Sequence, residues 1–174
     1  MDASDSALAW KKLARAGLVV LLAIGLTLTD LVLKRIVEST LGDGRTIAGP
    51  LIDFRLTYNS GVAFGFGAAL PIWIVTFVTG LIIVVGAVSL FKHAERLNHV
   101  ALMGGSLLLG GALGNFVDRL DGKGVVDYFH TGWFATFNLA DVFVTFGVVL
   151  LVAGLWWGEA NRSNFTSSSL DGVG

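Results

Sequence analysis

The sequence predicts a mainly α, polytopic membrane protein, with four transmembrane helices and a small extracytoplasmic β-containing region. Three observations carry that class. Of 174 residues, 54% are hydrophobic and 14% charged, well below the roughly 25% charged that is usual in a soluble domain, and the mean hydropathy is +0.75. Four apolar runs each approach the roughly 20 residues needed to cross a hydrocarbon core about 30 Å thick. They are Ala16 to Val37, Ile72 to Phe91, Val100 to Val117 and Ala140 to Gly158. Between the first two lies a stretch whose apolar residues alternate with polar ones.

The elements follow in order. A soluble N-terminal tail carries Lys11, Lys12 and Arg15 up to the first run. A basic segment before an apolar core is also the shape of a secretory signal peptide, but no small-residue cleavage site closes the run, so an uncleaved anchor is expected. In "LIDFRLTYNSG", Ile52, Phe54, Leu56 and Tyr58 alternate with Asp53, Arg55 and Thr57, the period of a strand with one wet face. "NSG" is turn chemistry, and the glycines between Gly61 and Gly67 permit a mobile loop against the membrane interface. The second span leads through a short loop, Lys92 to His99, into the third.

The third span ends in "LGGALGNFVDRLDGKG". Gly110 and Gly114, four apart, let a neighbouring backbone approach one helix face, which is a packing role. Asn115, Asp118 and Arg119 share one side of the helix end. "DGKG" turns the chain and "VVDYFH" returns as a short strand, bringing Asp127 back toward the membrane surface. Asn138 then reads as the N-cap of the last helix, with Asp141 in its first turn. The resulting frame is a single membrane-embedded domain over residues 1–160, followed by a polar, disordered tail over residues 161–174.

Four spans put both termini on one side, and the basic residues before the first span make that side the cytoplasm. Composition removes several function classes. With no cysteine there is no disulfide, thiolate metal site or cysteine nucleophile. His93, His99 and His130 lack metal-ligand spacing, so no metal and no cofactor are expected. A net charge of −1 with scattered basic residues gives no footprint for nucleic acid. No Ser or Thr stands with a His base, and there is no phosphate-binding glycine loop.

Acids remain, and each has an ordinary reading. Asp141 can cap a helix. Asp30 and Lys34, spaced i to i+4, can form an ion pair at the wet end of the first span. Asp127, set among Val125, Val126, Tyr128 and Phe129, fits an ordinary role less well. Two acids reaching one membrane face from different segments can share a proton and titrate in two steps. That suits amide hydrolysis, with Asp141 the ionised member near its helix N-terminus and Asp127 the protonated member in apolar company. The alternative is a small transport or channel subunit using intramembrane acids, which would spread polar groups across the bilayer rather than gather them near one face.

The set "TDLVLKRIV", "YNSGVAFGF", "GGALGNFVDRL", "VVDYF" and "FNLADVFVTFG" resembles bacterial lipoprotein signal peptidase, or signal peptidase II, over roughly Gly17 to Trp157. The resemblance implies a membrane aspartic endopeptidase of the bacterial cytoplasmic (inner) membrane that removes signal peptides from prolipoproteins. It cuts before a cysteine already modified with diacylglycerol, near the extracytoplasmic face. It implies Asp127 and Asp141 as the catalytic dyad, and Asp30, Lys34, Asn59, Asn115, Asp118, Arg119 and Asn138 as supporting or substrate-binding residues. It needs no metal or other cofactor. Its partners are the lipidated prolipoproteins and membrane lipids, and the chain is expected to work as a monomer.

Overall fold

The computed structural model describes residues 3–60 and 70–171. Seven elements follow in order: α1 (Ala3–Leu41), β1 (Thr46–Ile47), β2 (Asp53–Asn59), α2 (Ile72–His93), α3 (His99–Arg119), β3 (Val125–His130) and α4 (Leu139–Asp171). Among the described residues, four helical segments are long and apolar enough to cross a membrane: Ala9–Leu41, Ile72–His93, His99–Arg119 and Leu139–Gly158. The expected class, four spanning helices with a small sheet, is the one observed. The glycine-rich segment read as mobile, Gly61 to Gly67, lies outside the described residues.

Both outer helices run further than composition suggests. α1 starts at Ala3 rather than at the first apolar run, and α4 continues to Asp171 through most of the stretch read as a disordered tail. Neither extension needs a new nucleus. Once a spanning helix exists, each added residue gains a backbone hydrogen bond, and polarity alone does not stop it.

α3 is the central helix, and its glycines are the reason. A side chain at Gly110 would strike Ala23 and Leu26 of α1, and one at Gly111 would strike Ala140 of α4. Gly104 faces the α4 backbone at Gly147 and Leu151, and Gly105 faces Leu90 of α2. Three neighbours therefore pack on one helix at close range, by van der Waals contact that lipid cannot match at such separations. At the far end of the bundle Asn98 caps α3. Its Oδ1 accepts from Ala101 N at 2.8 Å and its Nδ2 donates to Gly154 O at 2.6 Å. Arg15 closes the same end by donating to the carbonyls of Glu95 and Leu97.

The sheet is antiparallel in the order β1-β2-β3. β2 shows an irregular register between Phe54 and Thr57, and this changes the expected faces. Phe54 and Tyr58 are 38% and 46% exposed, while Thr57 and Asp53 are half-buried. The irregularity interrupts the alternation that a straight strand would keep. β3 is buried at Val125, Val126, Asp127 and Tyr128, so it is covered on both faces and shows no alternation. The turn into it needs glycine: Gly122 and Gly124 have φ of 77° and 99°, and a Cβ on Gly124 would lie 2.6 Å from Asn59 O.

Candidate active site

Nine polar residues singled out from the sequence converge where the sheet meets the ends of α1, α3 and α4. Each is delivered by a local rule. Asp141 sits in the first turn of α4, and the cap is reciprocal. Asp141 N donates to Asn138 Oδ1 at 3.0 Å, and Asn138 N donates to Asp141 Oδ2 at 3.1 Å. This capping box fixes the carboxylate without consuming it, since Oδ1 accepts a second bond from Asn115 Nδ2 at 2.8 Å.

Asp127 comes from β3, paired opposite Thr57. It is 2% exposed, and both oxygens accept amide hydrogens: Oδ1 from Asn138 Nδ2 at 2.7 Å and Oδ2 from Asn59 Nδ2 at 3.1 Å. Asn138 Nδ2 also donates to Asn115 Oδ1 at 3.0 Å. Two asparagines thus link the two carboxylates, one from each side. Both acids line one cavity of about 430 Å³ together with Asn59, Asn115 and Arg119. Arg119 is 8% exposed, and its Nη1 donates to Asn115 O at 2.9 Å.

Asp30, Lys34 and Asp118 stand behind this pair. Lys34 Nζ lies 2.7 Å from Asp30 Oδ2 and 2.8 Å from Asp118 Oδ2, and donates to Asn115 Oδ1 at 2.9 Å. The i to i+4 pair expected at a wet helix end is present, but buried: Asp30 is 0% and Lys34 1% exposed. Gly114 provides the room, because a Cβ there would lie 2.5 Å from Asp30 Oδ2. The two aspartates also hold neighbouring elements in place. Ala140 N donates to Asp30 Oδ1 at 2.9 Å, and Val126 N donates to Asp118 Oδ2 at 3.1 Å. One lysine therefore joins α1 to the start of α4 and to β3.

Some contributors escaped the sequence reading. Tyr128 is fully buried, and its hydroxyl accepts from Leu139 N at 3.1 Å, tying β3 to α4. Phe134, Thr136 and Phe137 line the cavity. Phe137 also bridges to Phe129, extending the paired backbone beyond β3. The only sequence signal for this wall is the aromatic spacing in "WFATF", which does not say which way the rings face.

Burial pushes the Asp127 carboxyl up to about 7, with the nearby Asp141 charge adding to the rise and the Asn59 and Asn138 amides opposing it. Near neutrality this group can therefore hold or release a proton. The sign for stability follows. An acid whose value is raised from 3.8 to about 7 on folding stabilises the fold most below pH ~4, and that contribution is lost as pH rises to about 7. Asp127→Asn is expected to flatten this part of a thermal-midpoint against pH curve. An unchanged slope would show that the group does not titrate there.

The nine residues gather where the sheet meets one end of the helix bundle, whereas an ion path would need polar groups along the whole length of the spans.

Known proteins resemble the chain over most of its length. A family model described as signal peptidase (SPase) II matches residues 22–157. A lipoprotein signal peptidase of Bartonella tribocorum is 39% identical over 161 residues, covering 84% of this chain and 95% of that protein. One of Streptococcus pneumoniae is 36% identical over 157 residues, covering 87% and 98%. A bacterial membrane enzyme solved by the in meso method superposes with a TM-score of 0.68 at 28% identity, covering 84% of this chain and 92% of the other.

Proposed function

The chain belongs to the signal peptidase II family, a family of peptidases, and from that premise we propose that it is an aspartic endopeptidase. Its substrates are diacylglyceryl-modified prolipoproteins, cut just before the lipidated cysteine. The observation that carries this reading is the pair of carboxylates on one cavity wall, each held by side-chain amides.

In the proposed cycle, Asp141 takes a proton from water as the oxygen attacks the scissile carbonyl. Asp127, protonated, donates toward the carbonyl oxygen and then a proton passes to the leaving nitrogen. Water supplies both the hydroxyl of the new carboxyl terminus and the hydrogen of the new amine, so no further reactant is required. Asn59, Asn115 and Asn138 hold the acids, and Arg119 on the cavity wall is a donor for substrate carbonyls. A peptide bond within a membrane helix is shielded by its own hydrogen bonds. The substrate must unwind at the cut, and the extended backbone of β3 and Phe137 beside the cavity supports an extended chain.

The protein is a multi-pass inner membrane protein. We place both termini in the cytoplasm and the acids near the extracytoplasmic face, and take the single chain as the working unit. The test is incubation of the purified protein in lipid with a diacylglyceryl-modified prolipoprotein and with its unmodified precursor. Release of the signal peptide from the modified form alone supports the proposal. Failure to cleave any lipidated substrate removes it. The rate is also expected to fall as pH rises past about 7, where Asp127 loses its proton. A flat profile from pH 6 to 9 with chemistry rate-limiting contradicts Asp127 as the acid.

A further inference from the structure

α2 carries two stripes of cavity-lining residues. Ile82, Gly86, Ser89 and His93 border a cleft closed on its far side by Leu151 and Leu155 of α4. Trp73, Phe77, Gly80 and Val84 border a second groove, of about 870 Å³, whose other wall is Leu113 and Phe116 of α3 and Leu120 just past its end. The stripes have the same internal spacing and are offset by nine residues, which on a helix of 3.6 residues per turn puts them about 180° apart. Helix α2 therefore lies between the two, with Ile83 bordering both. Among the lining residues described, one borders both the second groove and the cavity of Asp127 and Asp141, and it is Arg119.

We infer that this α2/α3 groove receives the acyl chains of the lipidated substrate, while the peptide lies across the acids on the other side of Arg119. The inference rests on the proposed function and adds where the lipid goes. Three features favour acyl chains over a peptide helix. The groove adjoins the site across Arg119, which borders both, so a lipidated residue there would stand next to the cut bond. Its other walls are apolar and outward-facing, with Trp73, Phe77 and Leu120 67%, 69% and 62% exposed. Flexible chains need only such a surface open to lipid. A helix about 10 Å across gains more surface in the cleft, which α2, α3 and α4 all line, than in this groove, whose described lining comes from α2 and from α3 and the turn that follows it.

The inference is tested with a prolipoprotein whose acyl chains end in a photoreactive diazirine, bound to the Asp127→Asn protein in lipid, with the labelled residues read by mass spectrometry. Labels concentrated on Trp73, Phe77, Leu113, Phe116 and Leu120 are expected. Labels on Val142, Thr145 and Phe146, or spread evenly over the four helices, overturn it. A second arm fills the groove with Leu113→Trp. KM for a dipalmitoyl substrate is expected to rise about tenfold, as when about two methylenes lose burial, with little change for a dibutyryl substrate. Equal effects on both chain lengths, or none on either, count against the groove. Cleavage by the unaltered protein separates the outcomes. If it cleaves and the labels fall elsewhere, only the location of the lipid is wrong; if it cleaves nothing, the peptidase proposal fails with it.

Discussion

Asp127→Asn and Asp141→Asn are each expected to slow signal-peptide release by about 10²–10⁴-fold, the range for losing a positioned acid or base. The effect should fall on kcat, because asparagine keeps the size and most of the hydrogen bonding of each acid while removing the titrating proton. The two losses should not add. Residues that act as a unit lose nearly everything when either is removed, so the double variant should be scarcely slower than the worse single one. Full activity in either variant would falsify the dyad and leave Asp141 as a helix cap alone.

The two variants need different folding controls, for a reason visible in their partners. Asp141 accepts from Asn138 N and from Asn115 Nδ2 on separate oxygens. Asparagine can keep one of these bonds, and the capping box loses at most the roughly 0.5–2 kcal/mol of a cap. Asp127 accepts amide hydrogens on both oxygens, from Asn138 and Asn59. Asparagine there must turn its own NH₂ toward one of those donors, and Asn59 is the one at the end of a strand that can give way. The thermal midpoint of Asp127→Asn should therefore be compared with that of Asp127→Asn combined with Asn59→Asp. An inactive double variant with a restored midpoint assigns the lost activity to the proton and not to the fold.

How far the sequence could be read depended on how local the cause was. The four spans, the strand near Ile52 to Tyr58, the return strand at Val125 and the Asn138 cap all follow from runs, alternation or turn chemistry within a few residues, and each is found. The coming together of Asp127 and Asp141 needed the return of β3 to the start of α4, which the turn at "DGKG" made legible. Lys34 was only half legible. Its partner at i−4 could be read from spacing, but its second carboxylate, Asp118, and its burial depend on the space left by Gly114 between two helices. No local pattern records that space. β1 was missed because two residues carry no period, and the faces of β2 were misread because a register irregularity has no composition signal. The catalytic role proposed for the acids rests on their chemistry and on the family's motifs together, and the activity measurements above are its test.

The largest stability effect is expected at Lys34 and not at the acids of the cavity. Lys34→Met keeps the length of the side chain and removes the cation from a place where it touches Asp30, Asp118 and Asn115 Oδ1. Asp30 is then a carboxylate at 0% exposure with no positive partner among these contacts. Breaking a buried ion pair from one side costs about 3–5 kcal/mol, most of it the stranded charge and not the lost attraction. The protein should unfold at a markedly lower temperature in detergent, and activity should fall with it, since Asn115 and the start of α4 lose their support. If the stranded charge is the cause, adding Asp30→Asn to Lys34→Met should recover much of the midpoint, because a neutral amide at 30 can still accept from Ala140 N without demanding a counterion. Recovery of the fold without recovery of activity would then separate two functions of the lysine: neutralising the interior, and holding Asn115 where it orients Asp141. A midpoint unchanged in Lys34→Met alone would mean that the cluster relaxes or takes up protons, and that the buried triad does not hold α1 to the site.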